Sequence, residues 1–180
     1  MKKLTVEWLQ NNDACKSGID WFACQTETDP GAVINKLMAE DKFDWANWLT
    51  VRLMEYKQYV SYAVFAAEQV IDIYERKYPD DKRPRQAIDA AKIYINNPSE
   101  ENKKKAAAAG AAAWAAAGNA VYAAAYVAAR VVYAAVWTTA AGDSARDAAE
   151  DSAWAAARDS EKNMQTKIIN YGIKLLRGDK

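Results

Sequence analysis

The sequence contains no histidine, only two cysteines, few glycines (7) and prolines (4), and no excess charge of either sign. Without histidine the chain lacks the commonest general base, the commonest metal ligand and the usual switch near neutral pH. Cys15 and Cys24 stand nine residues apart, which fits no paired metal-ligand spacing. Nine residues along one helix would also hold the two sulfurs too far apart for a disulfide. Both are expected as reduced thiols of a cytoplasmic protein, one or both buried. The 24 basic residues balance 24 acidic ones, so there is neither the basic footprint of general nucleic-acid binding nor an acidic mimic of DNA. Met1-Lys2-Lys3-Leu4 has a basic start without an apolar run, so no signal peptide is expected. A Gly-rich phosphate loop, a nucleophile elbow and clustered metal ligands are all absent. No enzyme, no cofactor and no metal are therefore expected.

What remains is helical. No segment alternates apolar and polar residues for long. Asn11, Asn12 and Asp13 offer caps for a helix over 13–25 that carries Cys15, Ile19 and Phe22. Trp8 lies on a short amphipathic segment before it. Asp29-Pro30 starts another helix, with Val33, Ile34, Leu37 and Met38 on its buried face. A third is expected over 44–56, with Trp45, Trp48, Leu49 and Leu53. The next, over 58–78, repeats Tyr59, Tyr62, Phe65, Ala66, Gln69, Ile73 and Tyr74. Arg83-Pro84 begins a shorter helix facing Ala87, Ile88, Ala91 and Ile95 inwards, and Ser99 with Glu100 and Glu101 caps the one after it.

Residues 106–157 are about half alanine, the best helix former. Tyr122, Tyr126, Tyr133 and Trp137 fall on one helical face, and small residues elsewhere admit close backbones. A long helix through the middle of the bundle follows, broken near Gly142-Asp143-Ser144. A last helix over 144–176 turns Trp154, Met164, Ile168, Tyr171 and Leu175 inwards. Residues 106–129 carry no charge, but Asn119 interrupts them and leucine and isoleucine are missing. A buried helix is the better reading than a membrane span. An exposed ice-binding face is set aside because the residues that recur there are large aromatics, which favour burial. The expectation is an all-α helical bundle of seven or eight helices, with residues 1–180 forming a single domain.

The most distinctive segment runs from Tyr74 to Ala91 and packs arginines and acids into a helix–turn–helix corner. Guanidinium forks pair bidentately with carboxylates, so Arg83 and Arg85 are placed to lock onto Glu75, Asp80 or Glu68. Asp80 or Asp81 can also satisfy free N–H groups of the helix that starts at Pro84. Glu75, Tyr78, Asp81, Arg83 and Arg85 are the candidate binding residues. A clamp between two helices is the favoured reading of this corner over a site for phosphate, carboxylate or an acidic partner. Trp21, Trp45 and Trp48, with Asp20 and Asp44 beside two of them, read as core rather than as a ligand box. The acids near Asp143–Glu161 alternate with Arg146 and Arg158 at helical spacing, as on a solvated face.

Two blocks carry a resemblance. The first is Asp13-Ala14-Cys15-x-x-Gly18-x-x-Trp21-Phe22 followed by Asp44-Trp45-x-x-Trp48-Leu49. The second holds Ala66-Ala67-Glu68, Glu75, Pro79-x-Asp81-x-Arg83-Pro84-Arg85-x-Ala87-Ile88 and Ala90-Ala91, before an alanine-rich tail. Together they resemble a family of immunity proteins of bacterial polymorphic-toxin systems, whose members also occur in phage genomes. The resemblance implies an all-α inhibitor that binds and neutralises a protein partner, with Glu75, Asp81, Arg83 and Arg85 matching the family's polar core. As a phage accessory protein the chain would instead block a defence effector such as a CRISPR nuclease. A small-ligand sponge would use a pocket of Arg83, Arg85 and Tyr78. A homodimer through the alanine-rich helix is a further possibility; general nucleic-acid binding and a membrane are not expected.

Overall fold

The computed structural model describes residues 3–119 and 162–178. Among these residues there are eight α-helices and no strand: α1 (Val6–Asn11), α2 (Lys16–Ala23), α3 (Pro30–Ala39), α4 (Phe43–Arg52), α5 (Tyr56–Lys77), α6 (Arg83–Asn96), α7 (Glu100–Asn119) and α8 (Lys162–Arg177). The fold is an all-α bundle. Chain neighbours pack pairwise (α1 on α2, α3 on α4, α5 on α6, α6 on α7), and α8 returns across α4 and α5.

Local chemistry sets the boundaries. The Asp29 carboxylate accepts from Ala32 N at 2.9 Å and Pro30 opens α3. Glu55 and Gln58 form a capping box at the start of α5. The same Gln58 donates its amide to Leu175 O at 2.6 Å, satisfying a carbonyl in the last turn of α8. Ser99 Oγ accepts from Asn102 N at 3.1 Å and caps α7. Ala106 and Ala113, two turns apart on α7, are fully buried, and α7 packs closely along α6.

Two apolar clusters form the core. One gathers Tyr62, Tyr74 and Ile88 with other residues of α5, α6 and α7, and receives Ile168 from α8. The other joins Leu9, Phe22, Ile34 and Leu49 of α1–α4, and receives Ile169 and Ile173 from α8. Successive residues of a helix point about 100° apart, so α8 serves one cluster with Ile168 and the other with Ile169. Gly172 lets it approach. A Cβ there would lie 2.5 Å from Thr50 Cγ2 and 2.9 Å from Tyr62 Cε2.

Several expectations are corrected. Residues 13–25 are not one helix. Thr5 Oγ1 accepts from Trp8 N at 3.0 Å and starts α1 upstream; Asn12 ends it and Asp13 takes φ 58°, a conformation aspartate tolerates. Cys15, whose Sγ accepts from Gly18 N at 3.4 Å, then caps α2, and Cys24 closes it. Both cysteines are free and exposed, because they mark the ends of a surface helix. The helix expected over 44–56 stops at Arg52, since Glu55 already caps the next one. Ile73 is 52% exposed, on the solvent side of the α5 stripe. Trp8 does pack the terminal helix onto the body, its ring meeting Trp48 edge-on at 6.5 Å. Tyr122, Tyr126, Tyr133, Trp137, the expected break at Gly142 and Trp154 lie outside the described residues. Among the described residues no helix is long and apolar enough to cross a membrane.

Candidate binding site

The end of α5, the turn over 78–82 and the start of α6 bring together the residues singled out above. Pro79 ends α5 one residue after its C-cap Tyr78, and Asp81 N donates to Tyr78 O at 3.1 Å to close the turn. α6 begins at Arg83 with a proline in its first turn; its N-cap residue, Lys82, makes no side-chain cap. Asp81 takes over that task from one residue earlier, accepting from Arg83 N at 3.1 Å.

The Asp81 carboxylate is thereby saturated. Arg83 donates through Nε (2.8 Å) and Nη2 (2.6 Å), and the Tyr74 hydroxyl donates at 2.8 Å. Two residues further into α6, Arg85 grips Glu75 with Nε at 3.0 Å and Nη2 at 2.8 Å, and Nη2 also reaches Asp72 at 2.9 Å. Tyr78 lays its ring against Tyr74, centroids 5.0 Å apart. The corner thus joins all five candidate residues, with Asp72 and Tyr74 added. Neither Asp80 nor Glu68 partners the arginines; Glu68 pairs instead with Lys92 farther along the seam. Glu68 and Glu75 are seven residues apart on α5, as are Arg85 and Lys92 on α6. That matched two-turn spacing on antiparallel neighbours is the signal by which Lys92 was findable.

The charges stabilise one another. Hydrogen bonds from Arg85 lower the Glu75 carboxyl below its ordinary value, and those from Arg83 hold Asp81 well below the carboxylate range. Glu75 and Asp81 in turn raise the two guanidinium groups. Burial, followed by the bond to Asp81, pushes the Tyr74 hydroxyl up to about 12. The Nε and Nη2 donors of both forks are aimed at acids of the chain itself, the geometry of a clamp between α5 and α6.

Arg85→Ala is expected to lower stability by about 1 kcal/mol, discounted for the partial exposure of the pair. That is a melting-temperature loss of roughly 2–4 °C for a chain of this size. Arg85→Lys should recover less than half of it, since an ammonium cannot reproduce the two parallel bonds to Glu75. Circular-dichroism melts of the three proteins check both statements.

The pH dependence has a defined sign. The folded-state values of Glu75 and Asp81 are depressed, so their contribution is fully present above about pH 4, where the unfolded carboxyls ionise. It is lost as pH falls through the folded values. Tyr74 is raised, so its contribution is present below about pH 10 and is lost on the way to about pH 12. Urea midpoints measured from pH 2 to 12 should fall at both ends, and Tyr74→Phe should flatten the alkaline limb most, with a smaller change in the acid limb through the lost bond to Asp81.

Residues 50–168 match the protein family described as "Imm-5 like putative immunity protein". The chain belongs to this family. The Arg-Pro-Arg corner lies within the part that the immunity-protein family shares, and so do α5, α6 and α7. The first resembling block, Asp13–Phe22 with Asp44–Leu49, precedes the matched residues. No curated protein and no solved structure matches the chain. Among the described residues no three histidine, cysteine, aspartate or glutamate side chains are grouped to hold a metal ion.

Proposed function

We propose that this chain is a non-catalytic immunity protein that neutralises a toxin by forming a stoichiometric complex with it, residues 1–180 acting as one domain. Family membership over residues 50–168 carries the reading. The corner supports it indirectly. Its carboxylates and guanidinium groups are spent on one another, which suits a scaffold that holds helices in register better than an acid–base pair awaiting a substrate. Recognition then falls to the outer faces of the helices, with Glu75, Tyr78, Asp81, Arg83 and Arg85 setting the geometry beneath them.

The test is neutralisation in cells. Toxin domains encoded in the same genome are expressed singly, each with and without the chain, and a CRISPR nuclease serves as the comparison target. Growth restored against one toxin, with a complex that survives size-exclusion chromatography, is the expected result. Protection from the nuclease with no toxin neutralised would replace this reading by that of a defence inhibitor.

A further inference from the structure

The N-terminal cluster is not completely filled. A cavity of about 330 Å³ opens between α1, α2, α3 and α4, and every described residue lining it lies between Leu4 and Leu49. It therefore stands wholly ahead of the residues that match the immunity-protein family. Its floor is apolar, made by buried side chains that include Leu9, Phe22, Leu37 and Leu49. Its wall carries three half-buried indoles, Trp21, Trp45 and Trp48.

These indoles are held in place. Trp21 and Trp45 meet edge-to-face at 6.4 Å, and Trp21 Nε1 donates to Glu40 Oε2 at 2.8 Å. Trp48 is braced by Trp8 on one contact and carries the Arg52 guanidinium 5.7 Å from its ring centroid, so its π-face already attracts a cation. Ala14 and Gly18 also line the space; residues this small keep open what a leucine would fill.

Among the described residues, the only charged ones lining the cavity are two acids, Asp13 and Asp44. Among the described residues neither side chain has an ion pair or a hydrogen bond. The apolar wall pushes the Asp44 carboxyl up, as for a carboxylate whose partner is missing. Two lysines of this half are engaged with other acids, Lys16 with Asp20 and Lys42 with Glu40. Apolar floor, electron-rich aromatic wall and negative rim are the three components of an organic-cation site.

We propose that this pocket binds a small organic ammonium ion bearing an aromatic body, the ring on the apolar floor and the charge between the indoles and the rim carboxylates of Asp13 and Asp44. Size decides for a free ring-bearing ligand. The volume falls at the lower end of small-molecule sites, about 300–1,000 Å³, and is roughly twice the ~150 Å³ cavity that holds benzene. A single lysine or arginine side chain of a protein would leave much of it vacant. The site is independent of the proposed toxin complex and survives if that reading fails.

The test uses phenethyltrimethylammonium and phenethylamine as cationic probes, phenylethanol as the neutral one and phenylacetate as the anion. Binding is followed by calorimetry and by the indole N–H resonances of the intact chain. Both cations are expected to shift the pocket tryptophans saturably, with the neutral and anionic probes at least about tenfold weaker. Asp13→Asn/Asp44→Asn should weaken the cations by about tenfold at unchanged melting temperature, since asparagine tolerates the positive φ of residue 13. Ala14→Leu, which fills the space, should abolish binding without lowering the melting temperature. Equal affinity for all probes, cation binding untouched by the double substitution, or no saturable response would overturn the proposal. Tighter binding of blocked arginine than of the phenethyl cations would overturn it in favour of a protein side chain.

Discussion

Gly172→Val is expected to cost about 3 kcal/mol of stability, the upper end of what overpacking a close contact costs. A Cβ at this position would sit 2.5 Å from Thr50 Cγ2, 2.9 Å from Tyr62 Cε2 and 3.2 Å from Met54 Cε. The two nearest of these atoms cannot retreat easily. Thr50 is fully buried and its hydroxyl donates to Ala46 O at 2.7 Å. Tyr62 is equally buried and donates to Asn47 Oδ1 at 2.7 Å. Replacing glycine in a helix ordinarily gains up to about 1 kcal/mol of propensity, so a loss here isolates the steric effect. The consequence reaches both clusters, because α8 feeds Ile168 into one and Ile169 and Ile173 into the other. Urea denaturation reads the change directly. A valine variant as stable as the parent would mean that α8 does not lie this close to α4 and α5.

Ile88→Ala should have an effect of similar size, about 2–5 kcal/mol, through lost transfer energy and the cavity left behind. Ile88 is fully buried, three residues after Arg85 on the same helix. The control is Ile93→Ala. Ile93 is 56% exposed, and its truncation should change stability by no more than about 0.5 kcal/mol. Matched urea curves for the two variants separate a core anchor from a surface residue within one helix. The comparison also tests the corner, because Ile88 anchors the helix that Arg83 and Arg85 tie back to α5.

The sequence disclosed the fold wherever caps and apolar spacing agreed. Asp29-Pro30, Arg83-Pro84 and Ser99 each mark a helix start found in the structure. Ala87, Ile88, Ala91 and Ile95 are all buried, as their spacing requires. It was less legible where short helices share polar residues. Asn11, Asn12 and Asp13 look like a start but serve as an end, since such side chains favour both caps and turns. The role of Gly172 was invisible because a close approach depends on what lies opposite. At the corner, bidentate pairing was foreseeable from arginine chemistry. Which acid meets which arginine was not: Asp81 and Arg83 are two residues apart across a turn, and Asp72 enters only through the facing of α5 and α6. The pocket illustrates the opposite case. Trp21, Trp45 and Trp48 do contribute to the N-terminal cluster as spacing implied, while the space they border exists only in three dimensions.

The most direct test of the proposed function is a titration of toxin activity against increasing amounts of the purified chain. A stoichiometric inhibitor predicts that residual activity falls linearly and reaches zero at one chain per toxin, with the toxin recovered active after the complex is denatured and separated. Complete loss at a small fraction of an equivalent, deepening with time and irreversible on separation, would contradict it and make the protein a catalyst.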